Sequence, residues 1–276
     1  MNIVVVGLGI IGGSFAKAIK KYTSHRVIGI NRSEQPLQEA LACGAIDEIG
    51  SPESLALADL LIIGLFPKAA VAFMEQNAAL IRKGCIVIDT AGIKSEICPR
   101  LTQIAEENGL FFVGCHPMAG KETNGFASSE ADLFVNASCI LIPCMEAPKA
   151  LETVSELVLA LRFGKVVLST PAEHDRMIAF TSQLPHAIAC AYVLSEVCPR
   201  HDGFSAGSYR DVSRVAHINE ALWSELFLEN RTALITEIDS LIRHLSDMKQ
   251  AMEAGDQQAL QEILRSSRLV KEALGE

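Results

Sequence analysis

Three groups of side chains in this 276-residue chain have the types and spacing to do chemistry. The first is His116, in the run Gly114-Cys115-His116-Pro117-Met118-Ala119-Gly120. Proline biases the residue before it toward extended geometry, so His116 continues the apolar run ahead of it and projects from that strand's carboxyl end. A histidine there can accept the proton of an alcohol while the same substrate gives up a hydride. The second group is Asp175, Ser182 and His186, which fall within about 40° of one another around a helix. That helix also carries Met177, Ile178, Phe180, Leu184, Ile188 and Tyr192. A polar stripe on so apolar a helix must be satisfied by partners, water or ligand. We read it as lining a cavity, with an internal hydrogen-bond network as the alternative. Pro185 removes a donor and frees the Thr181 carbonyl, which predicts a kink. The third group is Arg210 and Arg214, four apart and on one face if helical. Paired guanidinium groups suit a substrate bearing carboxylates, although a solvated basic face with Asp211 as partner fits the same composition.

Elements must hold these groups. Residues 1–14 run a buried strand into Gly7-Leu8-Gly9-Ile10-Ile11-Gly12 and then into a helical pattern. Between a strand and a helix these glycines form a dinucleotide-binding fingerprint. Gly7 allows the turn, Gly9 lets backbone approach a pyrophosphate, and Gly12 lets the helix pack on the strand. The pyrophosphate then sits on the first free N–H groups of the helix. Leu8, Ile10, Ile11 and Leu65 complete the expected nucleotide contacts. Candidate strands at 2–6, 26–30, 60–65, 85–89, 110–114, 138–142 and 165–168 alternate with helical patterns at 15–21, 69–81, 95–107 and 149–161. That alternation predicts an α/β, doubly wound (Rossmann) domain over residues 1–168, with ligands at the carboxyl ends of its strands.

The pattern changes at Thr170-Pro171-Ala172-Glu173, a capping box with proline at the first helical position. Residues 169–276 read as an all-α domain for substrate binding and dimerisation. Within it Leu234, Ile238, Leu241, Leu245, Met248 and Met252 form an apolar seam of coiled-coil type. Packing within the chain and a dimer interface explain the seam equally well.

A net charge of −9 argues against nucleic acid or an anionic membrane as partner. The eight cysteines lack C-x-x-C spacing and read as reduced thiols, not as a metal site or disulfide framework. The chain shows no secretory segment and no apolar run of about 18 residues, so a cytoplasmic location is expected.

Taken in order, the glycine run, Asp89-Thr90-Ala91-Gly92-Ile93-Lys94, His116-Pro117-Met118-Ala119-Gly120, the helix from Glu173-His174-Asp175 to Leu184-Pro185-His186, and Arg210-Asp211-Val212-Ser213-Arg214 resemble the prephenate dehydrogenase family. The resemblance spans nearly the whole chain, in the short form without a regulatory domain. It implies oxidative decarboxylation of prephenate to 4-hydroxyphenylpyruvate, in tyrosine biosynthesis. His116 would be the base and Arg214 the partner of the ring carboxylate. His186 and Arg210 would lie near the pyruvyl group, with Glu122 and Asp175 tuning the site. Trp223 would reach the neighbouring subunit's site in a homodimer. Arogenate is the alternative substrate, and a non-catalytic nucleotide-binding regulator the alternative function. More distant hydroxyacid dehydrogenases normally use a lysine on the helical domain, and none lies between Lys165 and Lys249.

Two departures matter. Gly92 stands where many members of that family have a serine that bonds both histidine and substrate; Thr90, Ser95 or water are its candidate substitutes. Asn31-Arg32-Ser33 stands at the end of the second strand, where NAD enzymes typically carry an acid for the ribose 2′-hydroxyl. An arginine in place of an acid leans toward NADP, with NAD open.

Overall fold

The computed structural model describes residues 1–121 and 123–275. The amino-terminal part alternates strands and helices: β1 (Asn2–Val6), α1 (Ile10–Tyr22), β2 (Arg26–Ile30), α2 (Glu34–Ala42), β3 (Glu48–Ile49), β4 (Leu60–Ile63), α3 (Pro67–Asn77), β5 (Ile86–Asp89), α4 (Cys98–Asn108), β6 (Phe111–Pro117), β7 (Ser138–Pro143), α5 (Pro148–Ala160) and β8 (Lys165–Leu168). The eight strands form one sheet in the order β3-β2-β1-β4-β5-β6-β7-β8. Order reverses outward from β1, which leaves a crevice at the carboxyl ends of β1 and β4, the usual ligand position of doubly wound sheets.

The sheet is buried on both faces, and its strands read as unbroken apolar runs for that reason. Ile3 and Val5 pack with Phe15 and Ile19 on one side. Val4 and Val6 pack with Met74 and Leu101 on the other. Two details go beyond what the sequence specified. β3 has two residues, too short to leave a periodic signal. β7 runs antiparallel to β6, while the other pairings are parallel. Apolar content cannot tell these directions apart. β6 is longer than its apolar core and includes His116 and Pro117, as the extended geometry before proline requires.

The remainder is helical: α6 (Pro171–Ile178), a π-helical turn over Ala179–Gln183, α7 (Leu184–Val193), α8 (Gly207–Ser213), a 3₁₀ turn over Arg214–Ala216, α9 (Glu220–Glu229), α10 (Arg231–Glu253) and α11 (Gln257–Leu274). Thr170 caps α6 by accepting the Glu173 N–H at 3.3 Å. The Glu173 carboxylate accepts from Ser169 at 3.3 Å, so only half of the predicted box is reciprocal. The kink expected at Pro185 takes the form of the π turn just before it. Proline cannot donate to the preceding turn, and the Leu184 N–H instead reaches back five residues to Ala179.

Candidate active site

The glycine turn carries the geometry that its residue types promised. Gly7 sits at φ 86°, a region that favours glycine. A Cβ on Gly12 would lie 2.0 Å from the Gly7 carbonyl oxygen, so no larger residue lets α1 pack this close to β1. Gly9 would meet nothing within 4 Å, leaving its backbone open on that side. As N-cap of α1 it offers no side chain to the first N–H groups, and the first turn holds no acid. The positive end of the helix dipole is therefore unneutralised where a pyrophosphate would rest. These features fit a dinucleotide.

A cleft of about 670 Å³ opens at this point. Gly9, Ile10, Ile11 and Leu65 line it from the sheet side, together with His116 at the end of β6. Ser182, His186, Arg214 and Trp223 line it from the helical side. Residues more than 200 positions apart in sequence thus share one cavity.

His116 lies at the end of a buried chain of hydrogen bonds. Its Nδ1 is 2.8 Å from His174 Nε2, and His174 Nδ1 is 2.6 Å from Asp175 Oδ1. The Asp175 carboxylate also accepts the backbone N–H groups of Lys94 at 2.8 Å and Ser95 at 2.7 Å. Burial pushes that carboxyl upward, but hydrogen bonds from His174 and Ser95 outweigh it and hold it below the usual carboxylate range. Burial pushes His116 the opposite way, well below an ordinary histidine, and the neighbouring His174 and Lys94 add to the effect. His116 is therefore neutral at pH 7 and able to accept a proton.

Beneath His116 runs a fully buried ion pair between Lys94 and Asp89. The Lys94 ammonium also donates to the carbonyls of Ala91 at 2.9 Å and Cys115 at 2.8 Å, so all three of its protons are used. Asp89 in turn accepts the N–H groups of Ala91 and Cys115. For Lys94, burial works against the charge, but the adjoining Asp89 carboxylate holds the ammonium above the ordinary lysine value. The residue preceding His116 is thereby tied to the end of β5.

On the helical side, His186 Nδ1 donates to the Val215 carbonyl at 2.8 Å. Its ring packs on Trp223 with centroids 3.7 Å apart. The π turn is held from outside: Gln183 donates to the Leu226 carbonyl at 3.1 Å and accepts from Asn230 at 2.7 Å.

Several expected site residues lie elsewhere. Asp175 does not line the cleft; it is buried behind His116 with both oxygens engaged. The π turn supplies the reason, because its extra residue rotates Ser182 and His186 away from the phase of Asp175. Arg210 is exposed on α8 and absent from the cleft wall. The change from α to 3₁₀ winding at Arg214 breaks the shared face that a four-residue spacing implied. Trp223, by contrast, lines the cleft and packs against His186. Glu122 lies outside the described residues.

Asn31 accepts the Leu8 N–H at 3.0 Å and donates to the Ser33 carbonyl at 3.0 Å, which staples the end of β2 to the glycine turn. Arg32 and Ser33 are exposed beside it. At Gly92 a Cβ would stand 3.9 Å from His116 Nε2 and 3.6 Å from Leu226, ordinary contacts that leave room for a side chain. Ser95 is engaged with Asp175, and Thr90 lines the cleft with its hydroxyl toward the Ile63 carbonyl at 3.4 Å. The roles of His174, Lys94 and Asp89 were not assigned from the sequence, because each also bonds a residue of a distant segment: His174 bonds His116, and Lys94 and Asp89 both bond the Cys115 backbone.

A Rossmann-like sheet with its glycine turn, joined to a helical domain across one cleft, defines a nucleotide-dependent oxidoreductase of two-domain type. Residues 15–168 match the model of the prephenate dehydrogenase nucleotide-binding domain, and residues 170–266 that of its dimerization domain. The chain belongs to the prephenate dehydrogenase family. It is 29% identical to a prephenate dehydrogenase of Bacillus subtilis (strain 168), over 99% of this chain and 76% of that protein. It is also 29% identical to a cyclohexadienyl dehydrogenase of Zymomonas mobilis, over 99% and 96% respectively. Among solved structures, prephenate dehydrogenase from A. aeolicus, in complex with hydroxyphenyl propionate and NAD+, superposes with a TM-score of 0.87. It has 25% identity over 99% of this chain and 98% of that one. Synechocystis arogenate dehydrogenase superposes at 0.84, with 26% identity over 99% and 100%.

Proposed function

We propose that the protein converts prephenate to 4-hydroxyphenylpyruvate by oxidative decarboxylation, with His116 as base. One observation carries this reading: a single cleft unites the nucleotide turn, a neutral histidine and an arginine. His116 takes the proton of the ring 4-hydroxyl as that carbon's hydride leaves. When bound, the nicotinamide ring supplies the hydride acceptor. The resulting dienone loses its ring carboxylate as carbon dioxide, the bonding electrons aromatise the ring, and His116 returns the proton to the phenolate. Arg214 holds the ring carboxylate until it departs. Ser182 and His186 meet the pyruvyl side chain, and Trp223 packs beside it. Asp175 acts from behind His116 and Arg210 from outside the cleft wall, and Glu122 keeps the tuning role that the family resemblance implies.

For the nucleotide we favour NADP. Asn31 is committed to the glycine turn, so the ribose is left to Arg32 and Ser33. An exposed guanidinium there attracts a 2′-phosphate and offers no acid to repel it. NAD remains the alternative. The assay is absorbance at 340 nm with each nucleotide, run against prephenate and against arogenate. Turnover of prephenate with kcat/KM highest for NADP supports the whole reading. A preference for arogenate moves the protein to the activity of its Synechocystis likeness, and nucleotide binding without turnover of either makes it a regulator.

The protein acts as a homodimer through its helical domain. α11 buries no residue of its own, and Leu245 and Met252 of the α10 seam are more than half exposed. No helix among the described residues is long and apolar enough to cross a membrane. Free thiols, with Cys43 exposed, suit a reducing compartment such as the cytoplasm.

A further inference from the structure

The hydrogen-bond chain behind His116 has a direction. Asp175 Oδ1 accepts a backbone N–H from Lys94 and lies 2.6 Å from His174 Nδ1. An ionised carboxylate can only accept, so the proton between Asp175 and His174 belongs to His174 Nδ1. A neutral His174 then presents a lone pair at Nε2. His116 Nδ1, 2.8 Å away, must be the donor in that second bond. One nitrogen of His116 remains, Nε2, and it carries the lone pair. That nitrogen is the one beside Gly92, at the wall of the cleft.

We propose that His174 is a positioning residue that sets the tautomer of His116, making Nε2 the proton acceptor on instruction from Asp175. The inference deepens the reading of His116 as base and rests on it for its catalytic consequence. In the reaction the hydroxyl proton passes to His116 Nε2. The imidazolium so formed keeps its Nδ1–H in the bond to His174, whose other side faces the Asp175 carboxylate. The positive charge is met by a fixed negative one two hydrogen bonds away, with no further proton movement required. The arrangement also compensates in part for Gly92. A serine there could orient the ring from the cleft side; here the orientation comes from behind.

The test reads the tautomer directly. Protein labelled with nitrogen-15 histidine is examined by long-range proton–nitrogen correlation, with His116 assigned from its loss in His116→Asn. The expected spectrum has His116 protonated on Nδ1 and bare on Nε2. In His174→Phe the ring loses its acceptor and redistributes toward the Nε2-protonated form. Turnover then falls by roughly 10- to 1,000-fold with KM within about twofold, as when an imidazole is left in the wrong tautomer. His174→Gln, which can accept from His116 and donate to Asp175, restores much of both. A wild-type His116 protonated on Nε2 overturns the proposal, as does a tautomer that His174→Phe leaves unmoved. The wild-type spectrum decides the matter even if a variant fails to fold. It is also independent of turnover, so absence of prephenate oxidation would remove the substrate assignment without touching the tautomer.

Discussion

At the scale of residues, His116 and Arg214 separate chemistry from binding. His116→Asn is expected to lower kcat by about 10²–10⁴-fold with little change in KM, the usual worth of a positioned base. Arg214→Ala should act on KM instead, raising it about 10- to 100-fold, because a charge-assisted bond contributes roughly 1.5–3 kcal/mol. Steady-state assays of both variants check the contrast, and equal mild effects would misplace the site. The pH dependence follows from the direction of the His116 shift. The working form is unprotonated, and burial holds its folded-state value well below 6.5. The acid limb of kcat/KM should therefore lie below pH 6.5, and a limb at or above that value contradicts the assignment. The same shift costs stability in acid: below pH 6.5 the unfolded chain takes up a proton that the folded His116 refuses. His116 was legible in the sequence because proline fixes its backbone and the strand end fixes its direction. Asp175 leaves the cavity-lining stripe for the hydrogen-bond network behind His116 for a local reason, since a stripe drawn at 100° per residue assumes that no turn departs from α geometry.

At the scale of elements, the end of β5 and the end of β6 are joined by charge. Lys94 lies in the loop after β5 and reaches the Cys115 carbonyl one residue before His116. Removing one member of a buried pair strands the other, at about 3–5 kcal/mol. Lys94→Met should lower stability by that amount in urea or thermal unfolding, while a loss under 1 kcal/mol would show that the pair is dispensable. The sequence hid this contact because a lysine five residues after an aspartate resembles ordinary surface charge. His174 was hidden similarly. Its neighbour Asp175 is adjacent in sequence, but its other partner is 58 residues away across the domain junction. Strand positions, by contrast, were readable to within a few residues, because sheets buried on both faces need unbroken apolar runs. The direction of β7 was not, since hydropathy carries no polarity.

For the whole molecule, the open question in the sequence was what covers the α10 seam. Leu234, near its start, is buried within the chain, whereas Leu245 and Met252 are exposed. Leu264, Leu269, Val270 and Leu274 of α11 are exposed as well. The seam is thus covered within the chain at its start, and the proposed homodimer would cover the exposed remainder. Leu245→Glu combined with Met252→Glu should convert a dimer to a monomer in sedimentation or light scattering. A wild-type monomer would refute the assembly outright. The cleft itself needed the fold to be seen, because its walls come from segments that only the packing of helices against the sheet brings together.

The π turn over Ala179–Gln183 has a consequence of its own for how this site can vary. It holds one residue more than regular α winding requires, and each residue of helix amounts to about 100° of rotation. Deleting Thr181 would leave a smooth helix and every cleft side chain present. His186 would nonetheless swing about a quarter-turn from the wall that it now shares with Trp223. Such a deletion should keep nucleotide affinity, measured by titration, and abolish turnover, while substitutions in the same five residues are far better borne. The alignment of the two halves is written here as a number of residues, and insertions or deletions are the changes to which it is most exposed.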